Sequence, residues 1–173
     1  MDVRVRDMTL EDVEAVATVR VRGWQFAYDG LMPASYLDAM SVEEDAARRR
    51  EFLTKGGGVM TNVVAEQDGE VRGWGCFGPS RDEGQPPGVS ELYAIYVLPD
   101  RVSTGVGRAL MDELTGRAEG DGFERMLLWV LKENDRARRF YGKAGFAPDG
   151  AEERFEVAGV EVPEVRYARR LNG

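Results

Sequence analysis

Val3 and Val5 alternate with charged residues at the start of the chain, the period-two pattern of a short strand with one covered face. Thr9-Leu-Glu-Asp12 then reads as a capping box, and Leu10, Val13, Ala17, Val21 and Trp24 recur at helical spacing. Gly30-Leu-Met-Pro33 interrupts that helix. Pro33 suits the first turn of another, and Ser41-Val-Glu-Glu44 opens a third, polar and Arg-rich, reaching Thr54. After the breaker Gly56-Gly57-Gly58, the runs Val59–Glu66 and Val71–Phe77 flank Gln67-Asp68-Gly69-Glu70, whose Asp-Gly predicts a hairpin. Pro79–Gly88 predicts a solvated connection. Glu91–Leu98 is a β-branched and aromatic strand stopped by Pro99, and Val106, Ala109, Leu110, Leu114 and Ala118 repeat as a helix. Met126–Leu131 has strand length, Asp135–Ala144 is a helix closed by Gly145, and the tail holds two strands joined near Ala158-Gly159. The predicted order is β-α-α-α-β-β-β-α-β-α-β-β.

At 173 residues, with no repeat and no second apolar core, residues 1–173 are expected to form a single domain. The 43% hydrophobic and 31% charged content is ordinary for a globular chain. A formal net charge of -8 disfavours phosphate backbones and anionic lipid, so neither nucleic acid nor a membrane is expected as a partner; the same field would attract a cationic amine, although acidity for solubility alone is the bland reading. The first residues lack a basic-then-apolar leader and no apolar run is long enough to span a bilayer. Cys76 is the single cysteine and falls in the Gly73–Phe77 strand, which suits a reduced, cytoplasmic setting and a packing role.

Histidine is absent. That removes Ser-His-Asp and Cys-His catalysis and the HExxH zinc sites, and no tight acidic motif suggests a metal. Chemistry is left to carboxylate, Tyr, Lys, Arg, backbone and water.

Gly105 and Gly107 sit at a strand-to-helix junction, within Ser103–Arg108. Glycine there lets backbone amides approach an anion, and the helix N-terminus favours negative charge. Gly107 is followed by Arg108-Ala109 rather than Lys-Ser/Thr, which excludes a Walker loop. Leu110 stands where a dinucleotide fingerprint needs glycine. Glycine used only for turning is the alternative.

Glu91-Leu-Tyr-Ala-Ile-Tyr-Val-Leu-Pro99 followed by Gly105-Val-Gly-Arg-Ala-Leu110, and then Trp129-Val-Leu-Lys-Glu-Asn134, Ala137, Phe140-Tyr141 and Gly145-Phe146, resembles the two ordered motifs of the GCN5-related N-acetyltransferases. The resemblance spans Val3 to Leu171. It implies one α/β domain with a mixed, mostly antiparallel, centrally splayed sheet flanked by helices on both faces, and transfer of an acetyl group from acetyl-CoA to a primary amine by direct attack. It also implies that the CoA diphosphate sits on Ser103, Thr104, Gly105, Val106, Gly107 and Arg108, and that the pantetheine arm runs along Ile95, Tyr96 and Val97 and reaches Asn134. Val102, Ser103 and Thr104 depart from the family's basic, glycine-rich pattern, and Arg101 and Arg108 are the residues placed to compensate. Dimerisation is common in the family. A CoA-binding sensor without catalysis is the alternative from another class.

An alkylamine with a pKa of about 10.4 must lose a proton before it attacks. Glu91, where the family often has its base, is expected to accept it directly or through water, with Tyr93 and Ile95 on the same face by alternation; a solvated carboxylate is the bland reading. Tyr141 is expected, by resemblance, to protonate the departing thiolate, the alternative being packing beside Phe140. Trp24, Tyr28 and Asp29 combine aromatics with a carboxylate, which suits a cationic acceptor, although Trp24 at helical spacing also reads as core.

Overall fold

The computed structural model describes residues 2–56, 58–82 and 84–171; the predicted breaker residue Gly57 and one residue of the Pro79–Gly88 connection lie outside them. Twelve strands and α-helices follow in the expected order: β1 Val3–Asp7, α1 Val13–Ala27, α2 Ala34–Asp38, α3 Val42–Thr54, β2 Thr61–Gln67, β3 Glu70–Pro79, β4 Val89–Val97, α4 Val106–Gly120, β5 Arg125–Leu131, α5 Asp135–Lys143, β6 Ala147–Val157 and β7 Val160–Arg170.

The local signals act as expected. The Asp12 carboxylate accepts the Thr9 amide at 2.8 Å, and Ser41 Oγ accepts the Glu44 amide at 3.2 Å. Asp68 and Gly69 turn the β2–β3 hairpin at φ 58° and 79°, the left-handed region that an Asp-Gly pair tolerates. Two boundaries differ. Leu10, predicted on the apolar face of the first helix, is exposed because a short 3-10 turn, Leu10–Asp12, precedes α1 and rotates it outward. Val59, predicted to open β2, is exposed and precedes the strand.

One sheet of seven strands runs β1-β2-β3-β4-β5-β7-β6. All its pairings are antiparallel except β4 with β5. That parallel ladder covers only Val89, Ser90 and Glu91 of β4. Beyond Glu91 the two strands part, so the sheet splits at its centre. α4 packs on one face around Leu110, Met111 and Leu114, joined by Phe140 and Tyr141 of α5. α1 covers the other face, with Val16 and Val19 on Val64, Trp74 and Cys76.

Two features of β3 and β4 position the split. A Cβ on Gly73 would stand 2.8 Å from side-chain atoms of Val106 and Leu110, and one on Gly75 would stand 2.6 Å from Leu114 Cδ1. Only glycine lets α4 lie this close to the sheet. In β4 the register with β3 skips Tyr93, Cys76 facing Ala94 and Phe77 facing Leu92. This bulge adds one residue and inverts the alternation after it. Tyr93 and Tyr96 therefore pack on the α1 side while Ile95 and Val97 pack on the α4 side. The expectation that Ile95 shares a face with Glu91 and Tyr93 is corrected, because simple alternation holds only for an unbulged strand.

Candidate active site

A cavity of about 480 Å³ passes through the split between β4 and β5. On the α1 side it is walled by Trp24, Tyr28, Tyr93 and Tyr96, and on the α4 side by Asn134, Ala137 and Tyr141. Trp24 meets Tyr28 edge to face at 4.9 Å, and the hydroxyls of Tyr28 and Tyr96 lie 2.9 Å apart. Burial pushes both phenols up, Tyr96 the further. Asp29 is exposed and does not line the cavity. Successive helical residues point about 100° apart, so an inward Tyr28 at the end of α1 carries its neighbour outward.

Glu91 lines the cavity and is buried, so the solvated reading is removed. Its carboxylate is already engaged: Oε1 accepts the Arg81 amide at 2.9 Å and Oε2 accepts Arg81 Nη2 at 2.6 Å. The Arg81 guanidinium lies 4.1 Å from the Tyr93 ring centroid, and the Tyr93 hydroxyl donates to the Pro79 carbonyl. Asp82 completes this wall, accepting from Trp129 Nε1 at 3.1 Å and from Arg166 at 3.1 Å. The supposed solvated connection therefore furnishes two cavity residues.

Sequence reasoning missed Glu153 and Glu164, which also line the cavity. Burial pushes the Glu164 carboxyl up to about 8, helped by its hydrogen bond with Glu153 and by the charges of Glu153, Asp82 and Glu91. A signal was available: alternation along β7 puts Glu164 on the same face as Val162, which is buried.

On the α4 side, Gly105 caps α4 at φ 96° and Ser103 stands at φ 64°, both left-handed. The first bond of the helix runs from the Ala109 amide to the Gly105 carbonyl at 3.0 Å. The amides of Val106, Gly107 and Arg108 thus precede any intrahelical acceptor and point out of the helix end. Val106 is buried, and a Cβ on Gly107 would meet the Phe140 ring at 3.2 Å, so this glycine also serves close packing of α4 on α5. Thr104 Oγ1 donates to the Arg101 carbonyl at 2.5 Å, stabilising the turn. Arg101 is committed to Gln67 at 3.2 Å and Asp68 at 3.3 Å, whereas Arg108 is exposed and meets only Asp112, at 4.0 Å, so it is the more available of the two cations.

The Acetyltransferase (GNAT) family model matches residues 22–146, from α1 through the glycine turn to the end of α5. The chain belongs to the GNAT family. It is 35% identical over 164 residues to the uncharacterized N-acetyltransferase YuaI of Bacillus subtilis, covering 94% of this chain and 90% of that protein. A probable N-acetyltransferase of Mycobacterium tuberculosis is 30% identical, over 96% of this chain and 92% of its own length. Among solved structures, PaiA N-acetyltransferase of Thermoplasma acidophilum in complex with coenzyme A superposes with a TM-score of 0.74 at 18% identity, covering 98% of this chain and 99% of that one. YncA of Salmonella typhimurium with acetyl-CoA gives 0.74 at 19% identity, covering 100% and 96%.

Within this GNAT fold the expected residues fall into two groups. Trp24, Tyr28, Tyr93, Tyr96, Glu91, Ile95, Asn134 and Tyr141 meet at one cavity. Ser103, Thr104, Gly105 and Arg108 form the turn at the head of α4 instead, and Val97 packs on the α4 side of β4. Asn134 caps α5, its Oδ1 accepting the Ala137 amide at 3.2 Å, while still lining the cavity. Tyr141 packs between Phe140 and Phe146 at 5.5 and 6.2 Å, and burial pushes its phenol pKa up. Cys76 is buried with its thiol pushed up to about 12, which makes it inert as a nucleophile. Among the described residues no helix is long and apolar enough to cross a membrane.

Proposed function

We propose that this GNAT protein transfers the acetyl group of acetyl-CoA to the amine of a small cationic molecule, by direct attack and in the cytoplasm. The observation that carries the reading is the cavity through the split sheet. It is lined by Asn134, Ala137 and Tyr141 on the α4 side of the sheet, the side whose helix α4 begins at the glycine turn, and by aromatic and acidic side chains on the other.

The residues fit the co-substrate. The free amides of Val106, Gly107 and Arg108, with the helix dipole behind them, suit a diphosphate. The edge of β4 beyond Glu91, released from β5, offers backbone groups to an extended arm, with Asn134 at its side. Bound acetyl-CoA supplies the thioester carbon that the amine attacks. A phenol with an ordinary pKa near 10 is protonated at neutral pH, and burial pushes Tyr141 further up, so it holds a proton for the sulfur as the thiolate leaves. On the other face, the Trp24 and Tyr28 rings present π surfaces to a cation, and the acidic walls oppose an anionic acceptor. Glu91, gripped by Arg81, acts on the proton of the amine only through water or after that grip loosens.

Thiol release from acetyl-CoA, measured against n-butylamine, 1,4-diaminobutane, lysine methyl ester and alaninamide, tests the reading. Turnover with at least one of these amines is expected. Tight CoA binding with no turnover across the set would replace the enzyme by a CoA sensor.

A further inference from the structure

Glu153 and Glu164 stand directly opposite each other on the β6–β7 ladder, and both line the cavity. Like charges at directly opposed positions repel. The strands do not lack cations: Lys132 pairs with Glu152 at 3.0 Å and Arg154 with Glu161 at 3.0 Å. Among the described residues, Glu153 and Glu164 receive none. The other two carboxylates of the cavity are neutralised, Glu91 by Arg81 and Asp82 by Arg166. The uncompensated pair thus faces the space assigned to the acceptor. Trp24 Nε1, on the α1 side of the same cavity, is buried without a partner among the described residues.

Resting on the acetyl-transfer reading above, we propose that Glu164, paired across the strand with Glu153, receives the proton that the acceptor ammonium gives up before attack. Glu164 is better suited than Glu91, whose oxygens are both occupied by Arg81 donors. Its carboxyl, pushed up to about 8 by burial and by Glu153, is a base matched to neutral pH. The surrounding charges agree: Glu153 on β6, Asp82 in the loop and Glu91 on β4 raise it, Tyr28 lies beyond α1, and the cations Arg81 and Arg166 are spent on other carboxylates.

The step balances. The ammonium loses one proton to the Glu164 carboxylate, and the amine lone pair forms the C–N bond. The C–S bond breaks, its electron pair leaves with sulfur, and the thiolate takes the Tyr141 proton. The new amide loses its second proton to water, Tyr141 is reprotonated from solvent, and Glu164 returns its proton there.

The experiment measures kcat/KM against pH for wild type, E164Q and E153Q with acetyl-CoA and the same four amines, each variant checked for folding by its thermal melt. In wild type kcat/KM should rise to about pH 8 and then level. With the alkylamines n-butylamine and 1,4-diaminobutane, E164Q should be about 10²-fold lower at neutral pH and climb on towards their pKa of about 10, because only free amine then reacts. In E153Q the profile should still level off, whatever its height, but at lower pH than in wild type, because the charge that raises Glu164 is gone. With either alkylamine, an E164Q profile that superposes on wild type overturns the assignment and leaves acetyl transfer standing. Wild type inert with every amine overturns both. If E164Q fails to fold, an E153Q profile that does not move overturns the assignment.

Discussion

Tyr28 and Tyr96 join the end of α1 to the released part of β4 through a 2.9 Å hydroxyl contact at the wall of the cavity. Either oxygen can donate, and removing one leaves the other buried without its partner. Y28F and Y96F should each cost about 1–2 kcal/mol in denaturant unfolding, and the double variant less than their sum. A strictly additive double-mutant cycle would show that the pair does not couple.

Tyr141 is assigned a role in the departure of sulfur rather than in binding. Y141F should lower kcat by about 10²-fold while the KM for acetyl-CoA changes little. Because burial raises the phenol pKa, the wild-type rate should show no alkaline loss from Tyr141 below its ordinary range near pH 10. Equal loss in kcat and acetyl-CoA affinity would reduce it to a packing residue.

The close seat of α4 depends on glycine in β3. G75A places a methyl 2.6 Å from Leu114 Cδ1 and 3.2 Å from the Ala94 carbonyl oxygen, so the Leu114 side chain or α4 must shift, at a cost of about 1–3 kcal/mol. The glycine turn rides on α4, so CoA affinity by calorimetry should fall as well. A G75A protein with unchanged Tm and CoA Kd would show that the helix yields without consequence.

Glu164 should also be visible in stability. Its folded pKa, about 8, exceeds the ordinary carboxyl value of 4.5, so between these the folded state holds more proton than the unfolded one. Its contribution is present below pH 4.5 and is lost as pH rises through 8. Wild-type Tm should therefore decline over this window more steeply than that of E164Q; identical slopes would contradict the raised carboxyl.

Cys76 offers a control on burial. With its thiol held near 12, iodoacetamide at pH 8 should leave the native protein unmodified and label it rapidly in guanidinium. Fast native labelling would show that the β3 face under α1 opens.

Period and punctuation determined the elements of this chain. Strand and helix order, the Asp68-Gly69 turn, the Ser41 cap and the glycine turn before α4 all rest on residues near one another in sequence, where propensity and steric preference act directly. The motifs around Glu91–Leu110 and Trp129–Phe146 likewise carried the family, since they are contiguous. The cavity chemistry was decided elsewhere. That Arg81 closes on Glu91 depends on where a ten-residue-distant loop folds back. That Ile95 and Tyr96 exchange the faces simple alternation would give them depends on the bulge opposite Cys76 and Phe77. That Glu153 meets Glu164 depends on strand register, which sets partners across a ladder and leaves no local mark. A residue's type is written in the chain, but whether its charge is neutralised, buried or free is fixed by neighbours that only the packed sheet brings together.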